Sequence, residues 1–190
     1  MRIEIGDVIL RDMIDSDVCT YVRWFTTETD WIKKDTPWED PIETDAESEE
    51  IVWKGMVDFV KSMPENALRN KFEIEYLGKH VGFVSAYPID QNYEPICDDI
   101  DSTKVIYTAL GIEICEPDVR GLGIGTKALE GYINYLFEQG ATTLYTQTWS
   151  GNLAMLRCAE KIGFVECDRQ VGIREVNDEK YDAITLKLTK

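Results

Sequence analysis

The sequence predicts an α/β fold: one domain over residues 1–190, with a mixed central sheet of about six to seven strands flanked by about four helices. Three observations carry this expectation. Short apolar or alternating runs interchange with segments whose apolar residues recur at helical spacing, so helices and sheet must pack in layers. Leu77-Gly78-Lys79 joins two strand-like runs and is a hairpin signal. A glycine-rich junction, Val119-Arg120-Gly121-Leu122-Gly123-Ile124-Gly125-Thr126, stands between an apolar run and a helical pattern. That is the strand-to-helix step of a layered α/β domain.

In chain order, residues 8–11 read as the first strand. Asp15 or Ser16 is a suitable helix N-cap, and Val18, Tyr21, Val22 and Phe25 follow at helical spacing. A loop with Trp31, Pro37, Trp38 and Pro41 leads to a second helix over residues 45–63. Its expected stripe is Ile51, Val52, Met56, Phe59 and Val60. Residues 72–77 and 81–87 form the hairpin. Residues 88–102 are polar and acidic, with Pro95, and read as a loop before the central strand, residues 105–115. Ile124, Ala128, Leu129, Tyr132, Ile133, Leu136 and Phe137 then define one apolar helix face. A strand over residues 141–148, a helix over 152–162 and strands over 164–169 and 183–188 complete the order βααβββαβαββ.

The glycine junction carries the most chemistry. Glycine lacks a Cβ and tolerates positive φ, so backbone can approach a ligand closely. The helix that follows opens with free N–H groups and the positive end of its dipole, which favour a phosphate. A dinucleotide loop, G-x-G-x-x-G, fails here because Thr126 stands at the last glycine, and the region near Tyr145 lacks the required acid. A Walker A loop fails because Lys127 follows Thr126 rather than glycine and precedes Ala128. What does fit is R-x-x-G-x-G, with Arg120, Gly123 and Gly125 in place.

A second segment, Trp149 to Phe164, has Asn152 opening a short helix that ends in Glu160-Lys161-Ile162-Gly163-Phe164. The two signatures, in this order and separated by one helix and one strand, resemble those of the GNAT superfamily of N-acetyltransferases. The resemblance is strongest over residues 105–164. The flanks match only in outline, and the branches that the chain resembles are the ribosomal-protein N-terminal, aminoglycoside and polyamine acetyltransferases. The resemblance implies a single-domain GNAT-like fold with acetyl-CoA as cosubstrate and no metal. In that family the central strand and the next strand splay apart to admit the pantetheine arm. Carried over, the cofactor groups are the backbones of Ile114 and Cys115, the loop Arg120, Gly121, Leu122, Gly123, Ile124, Gly125 and Thr126, and Asn152. Cys115 is then a wall residue rather than a nucleophile. Many relatives have a tyrosine seven residues after the asparagine to protonate the departing thiolate; here that position is Ala159. Cys158, Tyr145 or water would have to substitute. Ala159 also keeps a second expectation open: an acyl-CoA-binding or regulatory module without turnover. Many relatives dimerise, so a homodimer is compatible with the resemblance.

Acetyl transfer to a primary amine requires a neutral nitrogen. An ammonium of pKa ~10.4 costs roughly 4–5 kcal/mol to hold neutral at pH 7, so an acidic site and a general base are needed. Glu113 is the leading base: strand alternation puts it on one face with Gly111 and Cys115. Trp31, Trp38 and Trp53, with the acid-rich residues 39–50, are candidates for an amine pocket, since aromatic faces attract ammonium groups. The sole histidine, His80, adjoins the hairpin turn and reads as a surface residue.

Composition narrows the partners. A formal charge of −16 argues against nucleic acid and anionic membrane and suits a cationic amine acceptor. No apolar run approaches ~18 residues, so no membrane-spanning helix is expected. The first residues lack the apolar core of a signal peptide. Five cysteines without C-x-x-C spacing read as reduced thiols, which points to the cytoplasm. With one histidine, no zinc site is expected.

Overall fold

A computed structural model describes residues 1–39, 43–96 and 106–190. Eight strands form one sheet: β1 (Arg2–Ile5), β2 (Val8–Arg11), β3 (Lys71–Tyr76), β4 (Lys79–Ile89), β5 (Tyr107–Ile114), β6 (Thr143–Trp149), β7 (Val165–Val176) and β8 (Glu179–Thr189). Five helices accompany them: α1 (Val18–Thr26), α2 (Ile32–Asp35), α3 (Ala46–Ser62), α4 (Ile124–Glu138) and α5 (Leu153–Ile162). The strand order is β1-β2-β3-β4-β5-β6-β8-β7. Every neighbouring pair is antiparallel except β5 and β6, which run parallel around the crossover helix α4. The mixed α/β architecture is as expected, with eight strands among the described residues rather than about six to seven, and five helices where about four were expected. β1, four residues long, pairs with β2 across a tight turn, and α2 is a single turn. Both are too short to show a period in sequence. Val105, Pro41, Cys97 and residues 98–102 of the expected acidic loop lie outside the described residues.

The sheet has a core on each face. On one, Leu110 and Leu144 pack under α4, which buries Ile124, Ala128, Leu129, Tyr132, Ile133 and Leu136, as its spacing predicted. On the other, α1 buries Val18, Tyr21 and Trp24 with Val57 of α3, Trp31 and Cys115. The stripe expected on α3 is overturned. Ile51 and Phe59 are 67% and 59% exposed, Val52 and Met56 are also exposed, and the packed face is Val57 with Trp53 and Val60 partly covered. The helix carries two apolar faces. The one that packs holds Trp53, whose ring stacks on Tyr21 at 3.8 Å.

His80 is also misplaced by the sequence reading. Its side chain is only 4% exposed. Nε2 lies 2.7 Å from Glu73 and Nδ1 lies 3.3 Å from Asp17. Glu73 also accepts from the Tyr21 hydroxyl at 2.6 Å, and Arg11 grips both oxygens of Asp17. Carboxylates this deeply buried persist because each is paired and hydrogen-bonded. A residue next to a hairpin turn points inward when its strand face is the buried one.

Candidate active site

The site begins where two strands part. β5 and β6 pair only at Ala109↔Tyr145 and Leu110↔Thr146, and Thr146 Oγ1 adds a bond to the Leu110 carbonyl at 2.9 Å. Beyond that rung β5 continues to Ile114, still paired with β4, while β6 pairs with β8. A cavity of about 700 Å³ opens between them, within the range typical of small-molecule sites.

Strand phase decides what faces the gap. The Cys115 N–H donates to Val81 on the β4 side at 3.0 Å, so alternation turns the N–H and C=O of Ile112 and Ile114 toward the gap. Arg120 closes the end of the strand, where the alternation stops: Nε donates to the Ile114 carbonyl and Nη2 to the Cys115 carbonyl, each at 2.7 Å. The arginine is thus a strut that ties the glycine loop to the end of β5. Side chains alternate independently of this. Ile112 and Ile114 lean toward α4, and Glu113 looks out on the opposite face with Gly111.

At the loop, Gly121 and Gly123 hold φ of +77° and +80°, the left-handed region that glycine enters most readily. Gly123 is the N-cap of α4 and supplies no side-chain acceptor, so the first-turn N–H groups are left for a ligand. Thr126 donates its hydroxyl to Cys158 Sγ at 3.4 Å. Asn152 caps α5 by accepting from the Met155 N–H at 3.1 Å. Ile114, Arg120, Gly121, Gly123, Ile124, Gly125, Thr126 and Asn152 all border the cavity. Leu122 and Cys115 do not: Leu122 is 59% exposed and Cys115 is buried in the α1 core.

Glu113 borders the cavity from the other wall. Burial raises its pKa well above the ordinary carboxylate range, repulsion from Asp35 raises it further, and Arg120 partly opposes both. The same burial, with Glu113 nearby, pushes the Cys115 thiol up, which makes it a poor nucleophile. Phe83 pairs with Glu113 across β4 and β5, and Trp31, Asp35, Ser85 and Tyr87 line the same cavity. The Tyr87 hydroxyl, its pKa pushed up to about 12 by burial and by Asp35, donates to Gln147 at 3.3 Å. Of these, sequence reasoning had named only Trp31, and no local motif marks the others.

The other expected pocket residues disperse. Trp53 stacks in the α1 core, and Trp38 meets Trp149 edge-on at 6.0 Å beneath Arg174. Asp45 caps α3, Glu49 accepts from the Trp53 indole, and Glu50 pairs with Lys54. These three acids therefore serve their own helix, while Glu39 acts on Asp35 and Asp40 lies outside the described residues. Tyr145 packs against Tyr107 and Tyr93, away from the cavity. Cys158 does border it, while Ala159 is fully buried under α4. Among the described residues no group of three or more His, Cys, Asp or Glu could hold a metal ion, and no helix is long and apolar enough to cross a membrane.

The family model of the acetyltransferase (GNAT) domain matches residues 7–165. A ribosomal L7/L12 alpha-N-protein acetyltransferase (RimL) in complex with coenzyme A has the same fold, with a TM-score of 0.72 at 14% identity, over 100% of this chain and 98% of that one. The ribosomal-protein-S5-alanine acetyltransferase from Vibrio fischeri gives 0.70 at 17% identity, covering 100% and 96%. The microcin C7 self-immunity acetyltransferase MccE, in complex with acetyl-CoA and AMP, gives 0.67 at 18%, covering 99% and 96%. No curated protein sequence matches the chain significantly.

Proposed function

The chain belongs to the family of GNAT acetyltransferases, and from that premise we propose that it transfers the acetyl group of acetyl-CoA to a primary amine by direct attack. One observation carries the proposal: a single cavity joins the uncapped N-terminus of α4 to Glu113 through the gap between β5 and β6. The pyrophosphate lies on the N–H groups of the loop Gly121 to Thr126, including the backbone of Leu122. The pantetheine arm follows the edge of β5 at Ile114, alongside the Cys115 end of the strand and Asn152. Bound in this way, acetyl-CoA supplies an activated thioester carbonyl at the Glu113 end.

Glu113 accepts the proton of the acceptor's ammonium, directly or through a water, and frees the nitrogen lone pair. Its desolvated wall favours this, because a carboxylate of raised pKa is a stronger base. Main-chain N–H groups of β5 stabilise the developing oxyanion. Ala159 offers no proton for the thiolate, which leaves by way of water or the Cys158 thiol. The free thiols support a cytoplasmic setting.

The test is to incubate the protein with acetyl-CoA and spermidine, an aminoglycoside or a short peptide while following free thiol. Thiol release that depends on one of these amines is expected. Coenzyme binding with no release from any amine would favour the second reading, a binding or regulatory module, which Ala159 supports. Among the three acceptors, a peptide N-terminus is the one that matches the activities by which two of the similar structures are named.

A further inference from the structure

The acceptor end of the cavity contains a carboxylate that no sequence signature marks. Asp35 sits at the end of α2 and borders the same space as Glu113. Two indoles hold α2 in place: Trp31 Nε1 donates to the Trp24 carbonyl at 3.0 Å, and Trp149 Nε1 donates to the Lys34 carbonyl at 3.2 Å. Asp35 is therefore positioned by the fold although it lies at the rim. Neither Asp35 nor Glu113 has a hydrogen-bond or ion-pair partner among the described residues. The aromatic side chains Trp31, Phe83 and Tyr87 line the same cavity.

Two unpartnered carboxylates in one cavity repel, and the pair is relieved when a ligand brings positive charge. The cations nearby leave the pair uncompensated: Arg120 offsets the raised pKa of Glu113 only in part. Arg120 is committed to two main-chain carbonyls on the glycine-loop side, and Lys34, although it borders the cavity, makes no ion pair with either acid. A cavity that combines aromatic walls with two anions suits an alkyl spine with a charge at each end.

We propose that Asp35 is an acceptor-anchoring residue, and that with Glu113 it selects amines bearing a second positive charge, such as diamines and polyamines. This rests on the amine-acetyltransferase reading above. The reacting nitrogen lies at Glu113 and gives up its proton there; the distal ammonium stays charged beside Asp35. No bond to Asp35 forms or breaks, so its role is positioning.

Cadaverine and pentylamine share a five-carbon chain and differ by the distal ammonium. Wild-type protein is expected to favour cadaverine in kcat/KM by about ten- to hundredfold, the effect of one hydrogen bond to a charged group. Asp35→Asn should bring that ratio toward one by raising KM for cadaverine more than it lowers kcat, and Asp35→Glu should restore part of it. The acid limb of the rate should move to lower pH in Asp35→Asn. The charged and titratable groups around Glu113 are Asp35, Arg120, Cys115, Tyr87 and Lys34, with Glu39 acting on Asp35, and among the described residues that line the cavity Asp35 is the like charge that acts on Glu113. Equal use of the two amines by wild type, or a ratio untouched by Asp35→Asn, overturns the proposal. If no amine is acetylated, the transferase reading fails by itself, and calorimetric binding of cadaverine still decides the anchor. Binding weakened in Asp35→Asn supports it, and binding that is absent or indifferent to the substitution overturns it.

Discussion

At the glycine-loop end of the cavity, what the protein offers a ligand is mostly main chain: uncapped N–H groups of α4, the edge of β5, and a loop held open by two glycines of positive φ. At the Glu113 end it offers side chains carried by β5, α2 and β4, which meet only in the folded molecule. The contrast has a functional logic. A ligand part that never varies can be held by backbone geometry, whereas an acceptor is chosen by side chains that can be exchanged without disturbing the fold. It also implies that substitutions at the two ends should fail differently, the first in coenzyme affinity and the second in acceptor turnover.

The largest effect is expected at the side-chain end. Glu113→Gln is close to isosteric and removes only the base, so kcat/KM should fall about 10²- to 10⁴-fold while acetyl-CoA affinity stays near wild type. In the wild type, Glu113 must be ionised to accept a proton, so activity should rise with pH through its pKa. Burial and Asp35 place that limb well above the ordinary carboxylate range. The variant should lack the limb. A wild-type profile in Glu113→Gln removes Glu113 from the mechanism.

Behind the acceptor end, the buried group Asp17, Glu73, His80 and Tyr21 lies in the same core as Cys115. Glu73→Gln deletes the charge between Tyr21 and His80, and breaking a buried pair on one side costs about 3–5 kcal/mol. Urea unfolding should report a loss of that order. Acetyl-CoA affinity, built on the far side of β5, should change less than the stability does. A coenzyme affinity that falls in parallel would show that the two ends are not independent.

The main-chain end should respond to Gly123→Val. No atom lies within 4 Å of a Cβ built there, so the protein itself leaves room. The cost comes from φ of +80° at a β-branched residue, about 1–3 kcal/mol of backbone strain. Relaxing that strain would turn the first N–H groups of α4 away, and acetyl-CoA affinity should drop roughly ten- to hundredfold. An unchanged affinity would contradict the assignment of the loop to the pyrophosphate.

The same contrast explains what could be read from the chain. Arg120, Gly123, Gly125 and Asn152 lie in two contiguous stretches, because a strand–loop–helix cradle is built from neighbours in sequence, and the cavity borders on all four. Glu113 was reachable by strand alternation alone. Asp35, Tyr87 and Gln147 were not, since nothing local ties a one-turn helix or a mid-strand tyrosine to a cavity; only the splay of β5 and β6 does. The tryptophans misled for a related reason. Trp31, Trp38 and Trp53 look alike in composition, yet one borders the cavity, one packs on Trp149 and one stacks on Tyr21. On α3, two apolar faces gave the periodicity two solutions, and the stacking partner in α1 chose between them.

The smallest expected effect probes Asn152, a side chain at the main-chain end. Asn152 accepts from the Met155 N–H, so it caps α5, and it also borders the cavity. Asn152→Ala should cost about 1 kcal/mol of stability through the lost cap. Asn152→Asp keeps an acceptor at the same place and should recover that stability. The two variants separate the residue's roles. If Asn152 only caps, acetyl-CoA affinity falls slightly in Asn152→Ala and returns in Asn152→Asp. If its amide also donates to the ligand, affinity stays low in Asn152→Asp, because a carboxylate cannot donate. Calorimetric titration with acetyl-CoA beside urea unfolding reads both quantities on the same protein. The second outcome would mean that even the backbone-built end of the cavity depends on a side chain for its grip.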